Sequence, residues 1–356
     1  MIGQRIKQAR IAAGLSLRQL ADKTNNYVSA QGIHKYELEK TIPGSDVLLK
    51  LAKALDVKVE FFFRPSSNTV SLGEPAYRKR FNTSAKELEA IRARAKDWVE
   101  KYLEVESLFP DHRFKPFKMP KSSNKMIRHL DQIEEIASGV RKEWSLGMDP
   151  IDKLIEVLED RGVKVAMVAT ESDVDGLSCW VNEQIPLILV KKNQTSDRLR
   201  FSIAHELGHL LLKLHDSVKA EKAADRFAGA FLVPGVAAKA ELGDKRQSFN
   251  FDELKSLRVK YGMSVQAWIY RAHDLDIISD SLFAQLFQFL GAKGLKQKEI
   301  GEQLPPEHAG RFERLVLQAV EEDLISPAKG AELLNVPLND FRKRLEAGAL
   351  TGNVRP

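Results

Sequence analysis

Several things this chain of 356 residues lacks narrow what it can be. It has one cysteine, Cys179, so no internal disulfide can form, and a reducing cytoplasm is the expected compartment. No histidine adjoins Cys179 in sequence, so a buried, inert thiol is expected there. No apolar run reaches the roughly 18 residues a membrane span requires. The opening MIGQRIKQAR is polar and basic where a secretory leader is apolar. There is no glycine-rich phosphate loop, no Ser/His/Asp grouping, and no internal repeat that stands out. Disulfide scaffolds, membrane proteins and triad hydrolases are thereby set aside.

What remains is a chain of ordinary globular composition, 43% hydrophobic and 29% charged, long enough for two or three domains. Its net charge of +6 is unevenly spread. Residues 1–65 hold 11 Lys and Arg against 6 Asp and Glu, and residues 66–130 hold 14 against 8, so the rest carries a net −5. An anionic partner is expected at the N-terminal third.

The patterning predicts short helices over residues 1–63. Ile2, Ile6, Ala9 and Ala13 recur at helical spacing before Gly14, Ser16 caps a second helix, a third runs from about Ser29 to Lys40, and Pro43-Gly44-Ser45 caps a fourth. RPSSNTVSLGEP (64–75) reads as a linker. A long amphipathic helix is expected from Ser84 to Phe109, with further helices near 126–143 and 150–161. Three short strands follow (VKVAMVA, LSCWV and IPLILV), with Gln184 in the turn between the last two. Helices are expected from about Asp197 and from Ser217 to Leu232, and helical patterns alternate with breaks over 251–356. The fold class is mainly α with a small β-sheet, an α+β arrangement. Its divisions fall at 1–64, a linker and long helix over 65–125, a catalytic domain over 126–275, and a helical region over 276–356.

The chemistry concentrates in RLRFSIAHELGHLLLKLH. His205 and His209, at i and i+4, lie about 40° apart around a helix axis, so both imidazoles reach one ion from one face. Glu206 stands between them as a general base. Phe201, Ile203, Ala204, Leu207, Leu210 and Leu211 mark the helix as buried, and polar groups there are costly unless a metal or partners satisfy them. A catalytic zinc site takes three protein ligands and leaves one position to water. Glu221 is the favoured third ligand and Asp225 the group orienting a histidine, with the reverse assignment left open. His215 falls roughly 240° round the helix from His209, as a substrate-side donor or a surface histidine.

The run DGLSCWVNEQIPLILVKKNQTSDRLRFSIAHELGHLLL, followed by EKAADRFAGAFLVP, resembles the ImmA/IrrE family of metallopeptidases over about residues 145–275. The likeness rests on Asp197-Arg198, Arg200-Phe201, the AHELGHLLL helix, and Glu221, Ala224, Asp225, Phe227, Ala228 and Pro234. Ala223 stands where many members have a second glutamate. The resemblance implies a gluzincin-like Zn2+ site with His205, His209 and Glu221 as ligands, Glu206 as base, and a repressor-type protein as substrate.

In SLRQLADKTNNYVSAQGIHKYE (16–37), Leu20, Ala21, Ile33 and Tyr36 are spaced to pack two short helices across a turn enlarged by Asn25-Asn26-Tyr27. Residues 1–64 resemble the Cro/C1-type helix-turn-helix of phage repressors through GLSLRQLA, IHKYE, Pro43 and LLKLAKALDV. The resemblance implies that Ala30, Gln31 and Lys35 face bases of double-stranded DNA, with Arg18 and Lys35 on phosphates. It also points to a second copy of the chain as partner. ISPAKGAELLNVPLNDFRKRLE reads either as a further helix-turn-helix or as scaffold. Two functions are thus in view. One is a DNA-binding regulator with a zinc endopeptidase domain; the other is a transcription factor or antitoxin-like protein whose metal site is structural or sensory.

Overall fold

Serines and asparagines punctuate this chain where the helices begin. In the computed structural model, which describes residues 2–64, 70–75, 84–110, 113–169, 175–295 and 301–351, the side chains of Ser16, Ser29, Ser84, Asn250, Ser264, Ser279 and Ser326 each accept a backbone N–H of the first turn they precede. Along the chain come α1 (Ile2–Ala12), α2 (Leu17–Lys23), α3 (Ala30–Glu37), α4 (Ser45–Leu55), α5 (Ala85–Glu106), β1 (Met126–Ile127), α6 (Gln132–Glu143), α7 (Leu154–Asp160), β2 (Lys164–Val168), β3 (Gly176–Val181), β4 (Ile185–Lys191) and α8 (Ser196–Leu211). After them come β5 (Lys213–Leu214), α9 (Ala220–Leu232), α10 (Gly235–Leu242), α11 (Phe251–Tyr261), α12 (Val265–Asp274), α13 (Asp280–Ala292), α14 (Arg311–Glu321), α15 (Pro327–Leu333) and α16 (Leu338–Thr351). The chain is mainly α with small sheets, as its patterning predicts. The fourth helix is capped within the expected Pro43-Gly44-Ser45, at Gly44, which offers no side-chain acceptor. Residues 65–69 of the expected linker lie outside the described residues.

Two compact units gather these elements, α1–α5 with α14–α16 in one, and β1–β5 with α6–α13 in the other. The sequence cuts at 64, 125 and 275 partition the chain differently, because apolar contacts bring the last three helices back to α5. Tyr102, Val105 and Phe109 share a core with Phe312, Leu315, Val316 and Phe341, and the Tyr102 and Phe312 rings stack with centroids 5.5 Å apart. Ile6, Leu20, Ala21, Ile33, Leu51 and Phe62 form the other core of this unit.

Two constraints fix α3 against α1. Arg10 Nε and Nη2 donate to the two carboxylate oxygens of buried Glu37, at 2.6 and 2.9 Å, a bidentate pair. Gly3 lies so close to α3 that a Cβ there would sit 2.1 Å from the Tyr36 carbonyl oxygen.

In the second unit the sheet runs β2-β4-β3, with β4 parallel to β2 and antiparallel to β3. Asn182, Glu183 and Gln184 connect β3 to β4; Asn182 and Glu183 have positive φ, and Gln184 N–H closes the turn on the Val181 carbonyl. Helices α8 and α9 pack on the core that includes Val165, Ile188, Val190, Leu207, Phe227 and Phe231. β1 and β5 form a separate parallel pair.

Buried guanidinium groups tie the helices to loop carbonyls. Arg141 donates to the carbonyls of Phe231 and Asp149, each at 2.6 Å, and burial lowers its pKa to about 10. Arg271, wholly buried, donates to the Val233 carbonyl at 2.9 Å and forks onto Glu134, which also accepts from Arg226. Burial alone would raise the Glu134 pKa, but Arg271 and Arg226 outweigh it and hold the carboxyl below its usual range. A depressed carboxyl contributes stability that is present above its unfolded pKa and lost as pH falls through the folded value. Glu134→Ala should therefore destabilise this unit by about 3 kcal/mol, by leaving Arg271 buried and uncompensated, and should flatten the acid limb of its stability curve. Chemical denaturation across pH 3–7 ~ in steps of one unit checks this; an unchanged acid limb would show that the pair carries no net stability.

Candidate metal centre and nucleic-acid face

The two histidines owe their common direction to helical spacing, and their depth to the apolar rows of α8. Leu199, Ile203, Ala204, Leu207, Leu210 and Leu211 are buried, and His205 and Glu206 are nearly so. Gly208 faces α9, where an added Cβ would lie 3.2 Å from Ala224 Cα and 3.2 Å from Phe227 Cδ1. That absence of a side chain lets the two helix backbones approach and sets Glu221 opposite the histidines. His205 Nε2 and His209 Nε2 are 3.0 Å apart, and Glu221 oxygens lie 3.7 Å from the first and 3.6 Å from the second. One donor atom from each of the three residues falls within 4.8 Å of the others.

Asp225, one turn beyond Glu221, accepts from His205 Nδ1 at 2.8 Å. This fixes the tautomer: the proton sits on Nδ1, and the Nε2 lone pair points at His209 and Glu221. Burial alone would lower the His205 pKa; the hydrogen bond and charge of Asp225, with Glu206 and Glu221, outweigh it and raise it. Ligands held about 2.0–2.1 Å from an ion in a tetrahedron lie about 3.3–3.4 Å apart, and the three separations bracket that span. The donor set therefore fits a single small divalent ion.

Glu206, whose charge acts on His205, is anchored to the sheet. Its Oε2 accepts from Ser178 Oγ on β3 at 2.6 Å, and a Cβ on Gly176 would come within 2.9 Å of its Cγ. Burial raises its pKa, partly countered by Ser178 and the two histidines. Sequence reasoning gave no role to Ser178 or Gly176. Both lie inside the run that carries the family resemblance, but no spacing rule joins residue 178 to 206; a lone serine in an otherwise apolar strand was the only cue.

The other residues of that resemblance serve as structure. Asp197 is paired with Arg258 at 2.9 Å, both almost wholly buried, and Arg200 reaches the Ile151 carbonyl and Glu307. Ala223 is buried in the core. His215 is half-buried, with Nδ1 2.9 Å from Ser217 Oγ. Cys179 is buried, as expected. Gly73, from the expected linker, donates its N–H to the Trp180 carbonyl on β3 at 2.8 Å.

In the other unit, α2 and α3 are joined by a turn in which Asn25 and Asn26 take left-handed φ values of 53° and 56°. Leu20, Ala21 and Ile33 are buried where the two helices cross, while Arg18, Gln31 and Lys35 are exposed and Ala30 is half-buried. The structure thus leaves the expected base-facing side chains open to solvent and uses the apolar ones as packing.

Residues 6–62 match the family model described as helix-turn-helix, and residues 158–273 match that of the IrrE N-terminal-like domain, a peptidase family. A curated relative is the SPbeta prophage-derived uncharacterized HTH-type transcriptional regulator YonR of Bacillus subtilis (strain 168), 32% identical over 74 residues, which span 21% of this chain and 67% of the relative. Among solved structures, Bacillus thuringiensis PlcR in complex with the peptide PapR7 and DNA aligns over 99% of this chain and 97% of its own at 12% identity. The PrgX/iCF10 complex aligns over 100% and 98% at 13% identity. Their TM-scores of 0.18 and 0.17 are too low to bear on the fold.

Gly208→Val should force α8 and α9 apart and destabilise the unit by about 1–3 kcal/mol, the usual cost of overpacking. Thermal denaturation measures it, and an unshifted transition would contradict the close approach.

Proposed function

We propose that the chain, which belongs to the helix-turn-helix transcriptional regulators and matches the IrrE N-terminal-like domain over residues 158–273, is a cytoplasmic DNA-binding regulator whose second domain is a zinc endopeptidase acting on a repressor-type protein. The observation that carries the enzymatic half is the division of labour on α8. Two histidines converge with Glu221, while the glutamate between them accepts a hydrogen bond from Ser178.

His205, His209 and Glu221 would hold Zn2+, with Asp225 keeping His205 in the tautomer that presents Nε2. The chemistry a bound zinc supplies is Lewis acidity toward a peptide carbonyl and toward water. Glu206 is the general base. Ser178 engages Oε2, so Oε1 takes the proton of the attacking water and delivers it to the leaving amine. Burial suits it to this work, since a base is most effective when its pKa rises toward the working pH. Arg18 and Lys35 bind phosphates, Ala30 and Gln31 meet base edges, and a second copy of the chain takes the other half-site.

Purified protein should hold one zinc per chain. His205→Ala, His209→Ala and Glu221→Ala should lose it, whereas Asp225→Ala should weaken affinity about 10–100-fold. Glu206→Gln should keep the metal and abolish cleavage when the zinc-loaded chain is incubated with repressors encoded beside its gene. Metal analysis finding Glu206→Gln empty, or Asp225→Ala emptier than Glu221→Ala, would overturn the assignment.

For the DNA module, Gln31→Ala should flatten preference among duplex sequences. Arg18→Ala should weaken binding to all of them and reduce the salt slope by about 1. Mobility shifts over a salt series give both readouts, and a chain that binds no duplex at low salt would make the module a protein adaptor.

A further inference from the structure

The C-terminal helices repeat the architecture of the DNA module inside the same unit. Ser16 and Ser326 are both N-caps whose side chains accept the N–H of the third residue on, each at 3.2 Å. The helices they open, α2 and α15, are each seven residues long. Leu20-Ala21 and Gly330-Ala331 are buried at equivalent positions. Two residues past each helix stands an asparagine in left-handed conformation, Asn25 at φ 53° and Asn335 at φ 54°. The next helix begins at Ala30 in one case and Leu338 in the other, so the second turn is shorter by two residues. Three residues into those helices lie Ile33 and Phe341, both fully buried. The pair α15–α16 is closely packed: a Cβ on Gly330 would sit 2.4 Å from Phe341 Cζ. No sequence repeat is visible because the matched positions share geometry and burial more than residue identity.

The outward faces correspond as well. Gln31, His34 and Lys35 on α3 become Asn339, Arg342 and Lys343 on α16, and all six side chains are exposed. Arg344 adds a third consecutive cation, which Glu313 pairs at 2.5 Å. Asp340 lies in the first turn of α16, Glu346 follows its cations, and the acidic run Glu321-Glu322-Asp323 precedes α15, so the basic charge of α16 is confined to Arg342, Lys343 and Arg344. α15 and its turn are also bolted to the DNA module. Arg64 bonds Glu332 at 2.6 Å, and Lys58 Nζ donates to the Val336 carbonyl at 3.1 Å.

We propose that α15–α16 is a second helix-turn-helix with α16 as its recognition helix, so that each chain carries two heads for double-stranded DNA. Asn339 is placed to read a base edge, an amide matching the donor and acceptor pair of adenine, and Arg342 and Lys343 neutralise phosphates. The two heads belong to one compact unit, so the second adds contacts without the ordering cost of a tethered module.

The test uses the full chain and duplexes it selects from a random-sequence pool. R342E/K343E should lower the salt slope of binding by roughly 1.8, two phosphate contacts at ~0.9 each, and shorten the hydroxyl-radical footprint. Asn339→Ala should erase preference at one block of the selected site and leave the block read by Gln31. R342Q/K343Q, which adds no acid to the surface, removes the same two phosphate contacts, should lose roughly the same 1.8 of slope, and guards against misfolding of the charge-reversed variant. If wild-type chain binds duplex and all three variants keep its slope, footprint and selected sequence, the second head is disproved while the N-terminal one stands. If wild-type chain binds no duplex, both fall.

Discussion

Everything in the metal centre depends on how closely α8 and α9 can pack. A histidine pair at i and i+4 recurs on many buried helices and holds nothing unless a third donor arrives from elsewhere. Here Gly208 removes the side chain that would keep the helices apart, and Ala224 and Phe227 fill the space. One turn of α9 then supplies two carboxylates with different geometry. Glu221 lies 3.6–3.7 Å from both inner ring nitrogens, and Asp225 lies 2.8 Å from the outer nitrogen of one. The carboxylate facing both rings is placed to ligate, and the one behind a ring is placed to orient it.

The same logic separates what the sequence revealed from what it concealed. Helical periodicity marked α8, and helical spacing put His205 and His209 on one face with Glu206 between them. A capping serine marked α2, and the third and the long helix were expected to start at Ser29 and Ser84, which cap α3 and α5. The choice between Glu221 and Asp225 was beyond any periodicity, because residues one turn apart share a face and only the neighbouring helix decides what each meets. Ser178 was equally hidden, since strand β3 and helix α8 meet through tertiary packing alone. The return of α14–α16 to α5 was obscured for a related reason: apolar stripes say that a helix is buried, never against what.

Charge tells a simpler story. The basic excess of the first 130 residues accompanies a helix pair whose apolar side chains are used up in packing, leaving Arg18, Gln31 and Lys35 exposed. The bidentate Arg10–Glu37 pair and the Gly3–Tyr36 approach hold α3 rigidly against α1. A recognition helix fixed in this way pays little ordering cost when it docks. In the proposed function the two chemistries need only share a chain: one head finds the operator, and the other removes the protein that occupies it.

The claim on which this account turns is that the metal keeps an open coordination position and is therefore catalytic. A small hydroxamate, which chelates a catalytic zinc through that position, offers the most direct test when titrated calorimetrically into zinc-loaded protein. The account predicts one hydroxamate bound per zinc, with binding retained in Glu206→Gln and absent in His209→Ala. A fully zinc-loaded chain that binds no hydroxamate would contradict it, and would make the centre structural or sensory.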